Sequence, residues 1–258
     1  MKPKKSLGQN FLADKNIQRK IIAASGFEAG DTVLEIGSGR GELTRLLADK
    51  VKKVYAVEID RELCVKLQEE FGSNKKIKVI HQDILRFDLD KHIPGQAKIK
   101  VIGNIPYYLS SPIVEYLLKY RKKISAILIT VQKEFGQRIA ALPGSKDYGS
   151  FSCFVQYYCQ PRILFNIKKS SFWPVPKVDS CLVRLEVLKR PPVEVTDEEA
   201  LFKLIRCAFG QRRKTLRNSL KGLISNTRLE LFFQHYHIDT NIRPEALSLE
   251  DFARLLNS

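Results

Sequence analysis

The sequence predicts a doubly wound α/β domain that is followed by a small all-helical domain. Through the first two thirds of the chain, short runs rich in Val, Ile and Leu alternate with segments of helical periodicity. Near-continuous apolar runs are typical of strands in a parallel sheet covered on both faces, and the alternation is typical of α/β folds. Residues 189–192, Lys-Arg-Pro-Pro, mark a change of composition beyond which no strand pattern is evident. The predicted domains are therefore residues 1–189 and 190–258.

The individual elements follow in chain order. Strands are predicted over residues 32–36, 54–59, 78–81, 100–103 and 126–131. Apolar residues at helical spacing separate the first three strands: Leu43, Leu46 and Leu47, then Leu63, Leu67 and Phe71. Residues 153–159 and 180–187 are predicted to pair as strands at the end of the sheet. In the second domain, Thr196 and Glu199 predict a capping box and a helix that ends near Gly210. Further helices are predicted over residues 212–224, 228–236 and 249–256, the last capped by Ser248.

The charge of the chain points to a polyanionic partner. With 44 Lys and Arg against 28 Asp and Glu, its formal net charge is +16, which favours nucleic acid ahead of an anionic membrane. The five cysteines contain no C-x-x-C pair, and the four histidines form no ligand pattern. We therefore expect neither a disulfide framework nor a metal site. The cysteine usage also fits the reducing cytoplasm, so we expect a cytoplasmic location. We expect no secretory signal and no membrane span, because the apolar stretches are too short.

A glycine-rich turn follows the first predicted strand. Gly37, Gly39 and Gly41 let the backbone approach a ligand closely, because glycine has no Cβ. Their spacing is G-x-G-x-G, and Glu42 stands where a dinucleotide fingerprint needs its third glycine. A carboxylate at that position also suits a pyrophosphate poorly.

Polar side chains end the next three predicted strands. Glu58 follows the glycines by about twenty residues, where an acid can bind ribose hydroxyls, and Asp83 and Asn104 end the third and fourth strands. Ligands of such sheets bind at the carboxyl ends of the strands. A ligand with a ribose, an adenine and no phosphate fits this set, and S-adenosylmethionine is such a ligand. Each residue alone could equally be a turn glycine or a helix cap; the ordered set favours the ligand.

The tetrapeptide Asn104-Ile105-Pro106-Tyr107 is a rigid turn at the end of the fourth strand. The Asn oxygen and a main-chain carbonyl can accept the two N–H groups of an exocyclic amine, and the Tyr ring can stack on its base. Alone, the tetrapeptide is equally consistent with an ordinary turn. With the cofactor set it predicts methyl transfer to an adenine amine.

Several segments together resemble the ribosomal RNA adenine dimethyltransferase family, and most closely its small-subunit (16S) type. They are the opening Gln9-Asn10-Phe11-Leu12, the loop Val33–Gly41, the tetrapeptide, Phe172-Trp173-Pro174-Val175-Pro176-Lys177-Val178-Asp179-Ser180, and the stretch from Phe209 to Asn218. The likeness covers nearly the whole chain. One departure is Tyr108, where the family usually carries Asn.

The resemblance implies a Rossmann-like class I methyltransferase fold, with a mostly parallel seven-stranded sheet and a helical RNA-binding domain. It implies that a monomeric enzyme, acting with S-adenosylmethionine, dimethylates N6 of two adjacent adenosines near the 3′ end of 16S rRNA, in the small ribosomal subunit or its precursor, and so supports ribosome assembly. The donor-site residues would be Asn10, Leu12, Gly37, Gly39, Glu58, Ile59, Asp83, Ile84 and Asn104. The catalytic residues would be Asn104, Pro106, Tyr107 and Phe172, whose ring would stack on a flipped base opposite Tyr107. Trp173 is predicted to be part of the core or of an interface.

Basic residues cluster in two places. Residues 1–20 carry six Lys or Arg against one acid, and residues 201–221 carry seven with none. Such clusters supply salt-dependent phosphate contacts. RNA contacts are expected from Arg206, Arg212, Arg213, Lys214, Arg217 and Lys221, although some of Arg212, Arg213 and Lys214 could instead tie the two domains together.

Three alternatives stay open at this point. A related dimethyltransferase could act on large-subunit RNA and give antibiotic resistance, although the stretch from Arg212 to Asn218 favours the small-subunit type. A non-catalytic nucleic-acid binder could use the same scaffold, although the intact tetrapeptide and Glu58 argue against it. A nicotinamide dehydrogenase is disfavoured by the glycine spacing and by the charge.

Overall fold

The structure, a computed structural model, describes residues 2–95, 97–211 and 213–257. The chain divides into two compact units, Met1–Gly136 with Arg162–Val187, and Gln137–Pro161 with Leu188–Ser258. The later division falls two residues before the predicted boundary, and the second unit also takes residues 137–161 from the middle of the chain. The assignment of donor binding and RNA binding to two domains stays a prediction.

The strands of the described residues fall into one large sheet and one short ribbon. In chain order they are β1 (Phe11–Leu12), β2 (Thr32–Ile36), β3 (Lys53–Glu58), β4 (Ile77–His81), β5 (Ile99–Asn104), β6 (Ile124–Gln132), β7 (Cys159–Ile167), β8 (Phe172–Trp173) and β9 (Ser180–Val187). The large sheet has the order β4-β3-β2-β5-β6-β9-β7, and the ribbon pairs β1 with β8. The first five strands of that order run parallel, and β9 lies antiparallel to β6.

The α/β fold class is confirmed. The burial of the strands explains why their sequences are so apolar. Consecutive residues of β2 and of β6 are buried, as expected where helices cover both faces of a sheet. The helices are α1 (Lys15–Ala24), α2 (Glu42–Lys50), α3 (Arg61–Phe71), α4 (Leu89–His92), α5 (Ser110–Lys119), α6 (Lys133–Ala140), α7 (Ser150–Tyr158), α8 (Glu198–Phe209), α9 (Leu216–Ser219), α10 (Asn226–His235) and α11 (Leu249–Asn257). No strand forms beyond Val187 in the described part of the chain.

The prediction of a strand at residues 153–159 is wrong, because this segment forms α7. It contains three aromatic residues and Val155, which are side chains that favour strands. In the fold, the rings of Phe154 and Tyr158 stand one helical turn apart, with centroids 5.5 Å from each other. Both also pack on Phe202 of α8, at 5.3 and 5.8 Å. Tertiary packing thus overrides local propensity. The strand that follows, β7, begins only at Cys159 and was not predicted.

Two details of the second unit also differ from prediction. Asp197, not Thr196, caps α8, and its carboxylate accepts the Ala200 N–H at 2.9 Å. The helix predicted over residues 212–224 is reduced to the four residues of α9, which Thr215 caps. The predicted cap of α11 by Ser248 is confirmed, and the structure adds a reciprocal bond: Ser248 and Asp251 each accept the other's backbone N–H.

Candidate active site

A cleft opens at the carboxyl ends of β2, β3 and β5 in the first unit. It holds about 760 Å³ of space not filled by atoms, a value that counts its open mouth. Eight of the nine residues predicted for the donor site line it, namely Asn10, Gly37, Gly39, Glu58, Ile59, Asp83, Ile84 and Asn104. The ninth, Leu12, is buried in the apolar core of this unit. Of the predicted catalytic residues, Asn104, Pro106 and Tyr107 line the same cleft.

The glycine-rich loop keeps part of this cleft open. Gly37 and Gly39 both have left-handed backbone conformations, with φ of +69° and +58°. A Cβ at Gly37 would lie 3.5 Å from the Asn104 carbonyl oxygen, and one at Gly39 would lie 3.2 Å from the Phe11 ring. Side chains at these positions would fill the space between the loop and its neighbours. The loop is therefore a backbone cradle that fits a ligand lying against it.

The Glu58 carboxylate is held by the backbone beside that cradle. It accepts three N–H groups at 2.8–2.9 Å, from Gly39 on Oε2 and from Ile59 and Asp60 on Oε1. Burial raises the pKa of Glu58, and these three hydrogen bonds oppose the rise. A carboxylate oriented in this way still has lone pairs that can accept hydrogen bonds from ribose hydroxyls. Asp83 accepts from Leu85 N–H through Oδ1, and its other oxygen has no hydrogen-bond partner among the described residues.

The Asn104 side chain is oriented by the N-terminal segment. Its Nδ2 donates to the Asn10 carbonyl at 2.7 Å. Because the amide nitrogen faces Asn10, the amide oxygen is left to accept a hydrogen bond from a ligand. The neighbouring Tyr107 shares a hydrogen bond with Ser180 at the start of β9, with the two hydroxyl oxygens 2.6 Å apart. Burial raises the pKa of Tyr107, so its hydroxyl keeps its proton.

The N-terminal segment forms one wall of the cleft and is tied at a second point. Leu7 to Phe11 contribute to the lining. Lys4 Nζ and Gln9 Nε2 both donate to the Asp60 carboxylate, at 2.8 and 2.9 Å. Burial raises the pKa of Asp60, but these two bonds, together with the Glu62 N–H and the charge of Lys4, hold the pKa below its usual range. Tyr108, the departure from the family pattern, is 61% exposed, and its ring leaves no room for a side chain at Gly8.

The β1–β8 ribbon places the two aromatic residues after Ser171 in opposite environments. Leu12 pairs with Phe172, and Phe11 pairs with Trp173. Phe172 is 2% exposed and belongs to the core of the unit, whereas Trp173 is 43% exposed. The ring of Phe172 therefore does not reach the surface in this structure, and its role in stacking on a base stays a prediction. Trp173 is not a core residue.

The residues predicted to contact RNA lie in the second unit. Arg206, Arg213, Lys214 and Lys221 are exposed. Arg217 is partly buried and forms an ion pair with Glu230 at 2.5 Å. Arg212 lies outside the described residues. Four of the six predicted cations are thus exposed on the second unit, and their contact with RNA stays a prediction.

Two residues that shape the cleft were not predicted from the sequence as part of the site. Asp60, which anchors the N-terminal segment, stands two residues after Glu58, and an acid at that distance from a strand end is a signal that could have drawn attention to it. Ser180 ends a quoted motif, but nothing in the sequence pairs it with Tyr107, which lies 73 positions earlier.

Comparison with known proteins identifies the family. The family model described as "Ribosomal RNA adenine dimethylase" matches residues 1–258. The chain belongs to this family. It is 45% identical to "Ribosomal RNA small subunit methyltransferase A" of Caldanaerobacter subterraneus subsp. tengcongensis, covering all of this chain and 97% of that protein. It is 42% identical to the protein of the same name from Clostridium acetobutylicum, covering 97% and 91%.

Solved structures of the family share the fold. A dimethyladenosine transferase from Plasmodium falciparum superposes with a TM-score of 0.81 at 27% identity, covering 96% of each chain. The 23S rRNA methyltransferase ErmE superposes with a TM-score of 0.76 at 26% identity, covering 96% of this chain and 98% of that one. The predicted Rossmann-like methyltransferase fold is thereby confirmed. The chain is a ribosomal RNA adenine dimethyltransferase that uses S-adenosylmethionine as its methyl donor.

None of the helices formed by the described residues has the length and apolar character that crossing a bilayer requires. No three metal-ligating side chains among them are grouped as an ion would need.

Proposed function

We propose that this enzyme dimethylates N6 of two adjacent adenosines near the 3′ end of 16S rRNA, in the small ribosomal subunit or its precursor. One observation supports this substrate over large-subunit RNA. The relatives named as small-subunit methyltransferases are 42–45% identical to the chain, whereas the 23S methyltransferase ErmE is 26% identical. We place the reaction in the cytoplasm, where small ribosomal subunits are assembled, and propose that it supports their assembly. That the enzyme acts as a monomer is a prediction that its mass in solution will check.

The donor site is proposed to bind S-adenosylmethionine with the residues that line the cleft. Glu58 would accept the ribose hydroxyls, the glycine loop would lie against the ligand, and Asp83 would offer its unpartnered oxygen. The carboxylates also favour the positive sulfonium, which supplies an activated methyl group. These contacts hold the donor and leave the space beside Asn104 to the acceptor.

The acceptor amine is proposed to be held by Asn104 and by one main-chain carbonyl. Two carbonyls of the tetrapeptide are candidates, those of Ile105 and Pro106. The Pro106 carbonyl already accepts the Leu109 N–H at 3.0 Å. The Ile105 carbonyl is therefore the better acceptor for the second N–H of the amine. Two acceptors in these positions draw the amine toward a pyramidal shape and restore electron density to its nitrogen.

Positioning and electrostatics are sufficient for this reaction. The adenine nitrogen is a poor nucleophile, because its lone pair is delocalised into the ring. Positive charge grows on that nitrogen as it attacks, and the Asn104 and Ile105 oxygens stabilise this charge. The amine becomes acidic once it is methylated, so no strong base is needed before attack. Tyr107, held by Ser180, is proposed to stack on the base.

The substrate can be tested directly. Purified enzyme is incubated with radiolabelled S-adenosylmethionine and unmethylated small subunits, with large subunits in parallel, and the RNA is digested to nucleosides. We expect label in dimethyladenosine from small subunits alone. Label from large subunits would support the resistance-type alternative. Absence of label, with donor binding intact, would overturn the proposal in favour of a non-catalytic assembly role.

A further inference from the structure

Three side chains form a cluster at the edge of the donor cleft, outside the proposed acceptor site. The Arg40 guanidinium lies over the Phe11 ring at 4.6 Å and over the Trp173 ring at 4.7 Å. The two rings are nearly parallel, with an interplanar angle of 21° and centroids 6.4 Å apart. The pairing of β1 with β8 brings the rings together, and the glycine loop brings Arg40 to them. All three residues belong to the first unit.

The cluster runs from the inside of the cleft to the open surface. Phe11 is buried and lines the cleft, whereas Arg40 is exposed and Trp173 is 43% exposed. A tryptophan in an apolar core would be covered, and this one is not. The loop that follows it carries further exposed groups, among them Val175 and Lys177, on a backbone stiffened by two prolines.

The Arg40 guanidinium is held by the two rings and has no carboxylate partner within the described part of the chain. No Asp or Glu there lies within ion-pair distance of the Arg40 guanidinium. At longer range, the charge of Arg40 opposes the rise that burial causes in the pKa of Glu42. A guanidinium held against two rings keeps its outer N–H groups available for a phosphate. Its plane and the indole are also the surfaces on which unpaired bases stack in RNA-binding proteins.

We infer that Arg40 and Trp173 form a contact site for single-stranded RNA on the donor-binding unit. One nucleotide flanking the target adenosine stacks on Trp173, and a phosphate of that strand meets Arg40. This inference rests on the proposed function, because it needs an RNA substrate whose target base enters the neighbouring acceptor site. It adds a second RNA contact to the basic residues of the second unit.

The single tryptophan of the chain makes the site directly observable. A short single-stranded RNA that contains two adjacent adenosines is titrated into the full-length enzyme in the presence of S-adenosylhomocysteine, and tryptophan emission is recorded. We expect saturable quenching, because a base stacked on the indole changes its emission. An RNA that binds by fluorescence anisotropy but leaves the emission unchanged would overturn the inference.

Variants separate stacking from charge. Trp173→Ala should weaken RNA binding by about 5- to 100-fold, while Trp173→Phe should keep most of the affinity. Arg40→Gln should lower the slope of log affinity against log salt by about 0.7, the contribution of one phosphate on a single strand, whereas Trp173→Ala should not change that slope. Binding of S-adenosylhomocysteine, measured by calorimetry, should stay within about twofold of wild type in both variants, since neither side chain is proposed to hold the donor.

The matched control is Val65→Ala on α3, which removes an exposed apolar side chain of the same unit and should leave RNA affinity unchanged. An equal loss of RNA affinity and donor affinity in Trp173→Ala would mean that the cluster only supports the cleft, and would overturn the inference. Methylation of small subunits by the wild type is measured in the same series. Its failure would refute the proposed substrate, whereas a normal yield without tryptophan quenching would refute the contact site alone.

Discussion

The two polar ends of the Asn104 amide serve different tasks. Its nitrogen is bound to the Asn10 carbonyl, 94 positions away in the chain, which leaves its oxygen to accept a hydrogen bond from the acceptor amine, as we propose. The sequence predicts that Asn104 is catalytic, because Asn before Pro at a strand end is a recognisable pattern. It does not predict what orients the side chain, since a contact between residues so far apart depends on the folded structure. The same limit hides the bond between Ser180 and Tyr107.

Replacing Asn104 by Ala should lower turnover by about two to three orders of magnitude, the range seen when one stabilising hydrogen-bond group is lost from an active site. The affinity for RNA should change little, because the Asn104 amide is proposed to contact only the target adenine. Single-turnover methylation of small subunits measures the first quantity and filter binding measures the second. Asn74→Ala, which alters an exposed turn after α3, is the matched control. Full activity of Asn104→Ala would refute the proposed mechanism.

Glu35 is a buried acid beneath the glycine loop, and its charge state should be visible in the stability of the protein. Burial raises its pKa to about 8 from 4.5, against the opposing hydrogen bond from Thr44 at 2.5 Å. The folded protein therefore holds a proton that the unfolded chain releases between these two pH values. The contribution of Glu35 to the free energy of unfolding is therefore largest below about pH 4.5. It falls as the pH rises toward 8.

The variant Glu35→Gln has no such proton and removes this dependence. Between pH 5 and 8, the free energy of unfolding of the wild type should fall relative to that of Glu35→Gln as the pH rises. The expected change in this difference is up to about 1.4 kcal/mol per pH unit. Urea unfolding at several pH values measures it. A difference that stays constant across this range would show that Glu35 is ionised in the folded protein.

Elements were predicted well where burial alone determines the pattern. Most residues of β2, β3, β5 and β6 are apolar and buried, because both faces of the sheet are covered there, so the sequence shows these strands clearly. The edge strand β4 is less buried, but it was predicted from the same kind of apolar run. Residues 153–159 fail the same test, because aromatic residues suit a strand and a helix core alike, and only Phe202 on another helix decides between them. The ribbon of β1 and β8 was also missed, since two-residue strands have no periodicity to detect.

The turn from β2 to α2 contains a position that tolerates only glycine. Gly41 has φ of +80°, and a Cβ there would lie 2.7 Å from the Phe71 ring. Gly41→Ala should therefore destabilise the protein by about 1 to 3 kcal/mol through backbone strain and the clash with Phe71. Gly30→Ala is the matched control, because nothing lies within 4 Å of its Cβ position. Equal midpoints of urea unfolding for the two variants would contradict this account.

At the scale of the whole molecule, the net charge of +16 predicts an affinity for RNA that falls steeply with salt. Composition alone supports this much, and the family comparison supplies the kind of RNA. The sequence could not separate cations that are free to meet phosphate from those engaged within the protein. In the structure, Arg217 pairs with Glu230, whereas Arg213 and Lys214 are exposed.

This difference predicts which basic residues matter most for binding. Arg213→Gln should lower the slope of log affinity against log salt by about 0.7 to 0.9, the contribution of one phosphate. Arg217→Gln should change it less, because its charge is already opposed by Glu230. Fluorescence anisotropy of labelled RNA at a series of salt concentrations measures both. Identical slopes for the two variants would show that the ion pair opens when RNA binds.

The N-terminal segment contributes to the cleft without belonging to the large sheet. Lys2 and Lys5 are exposed, and the segment they precede holds Asp60 at one end and the Asn104 amide at the other. Trimming that removes residues 2–10 would leave the strands of the large sheet in place, while removing one wall of the cleft and the carbonyl that orients the Asn104 amide. We expect the trimmed protein to keep its cooperative unfolding and lose its methylation activity. Parallel assays of unfolding and methylation on a variant that lacks residues 2–10 would show whether folding and catalysis separate in this way.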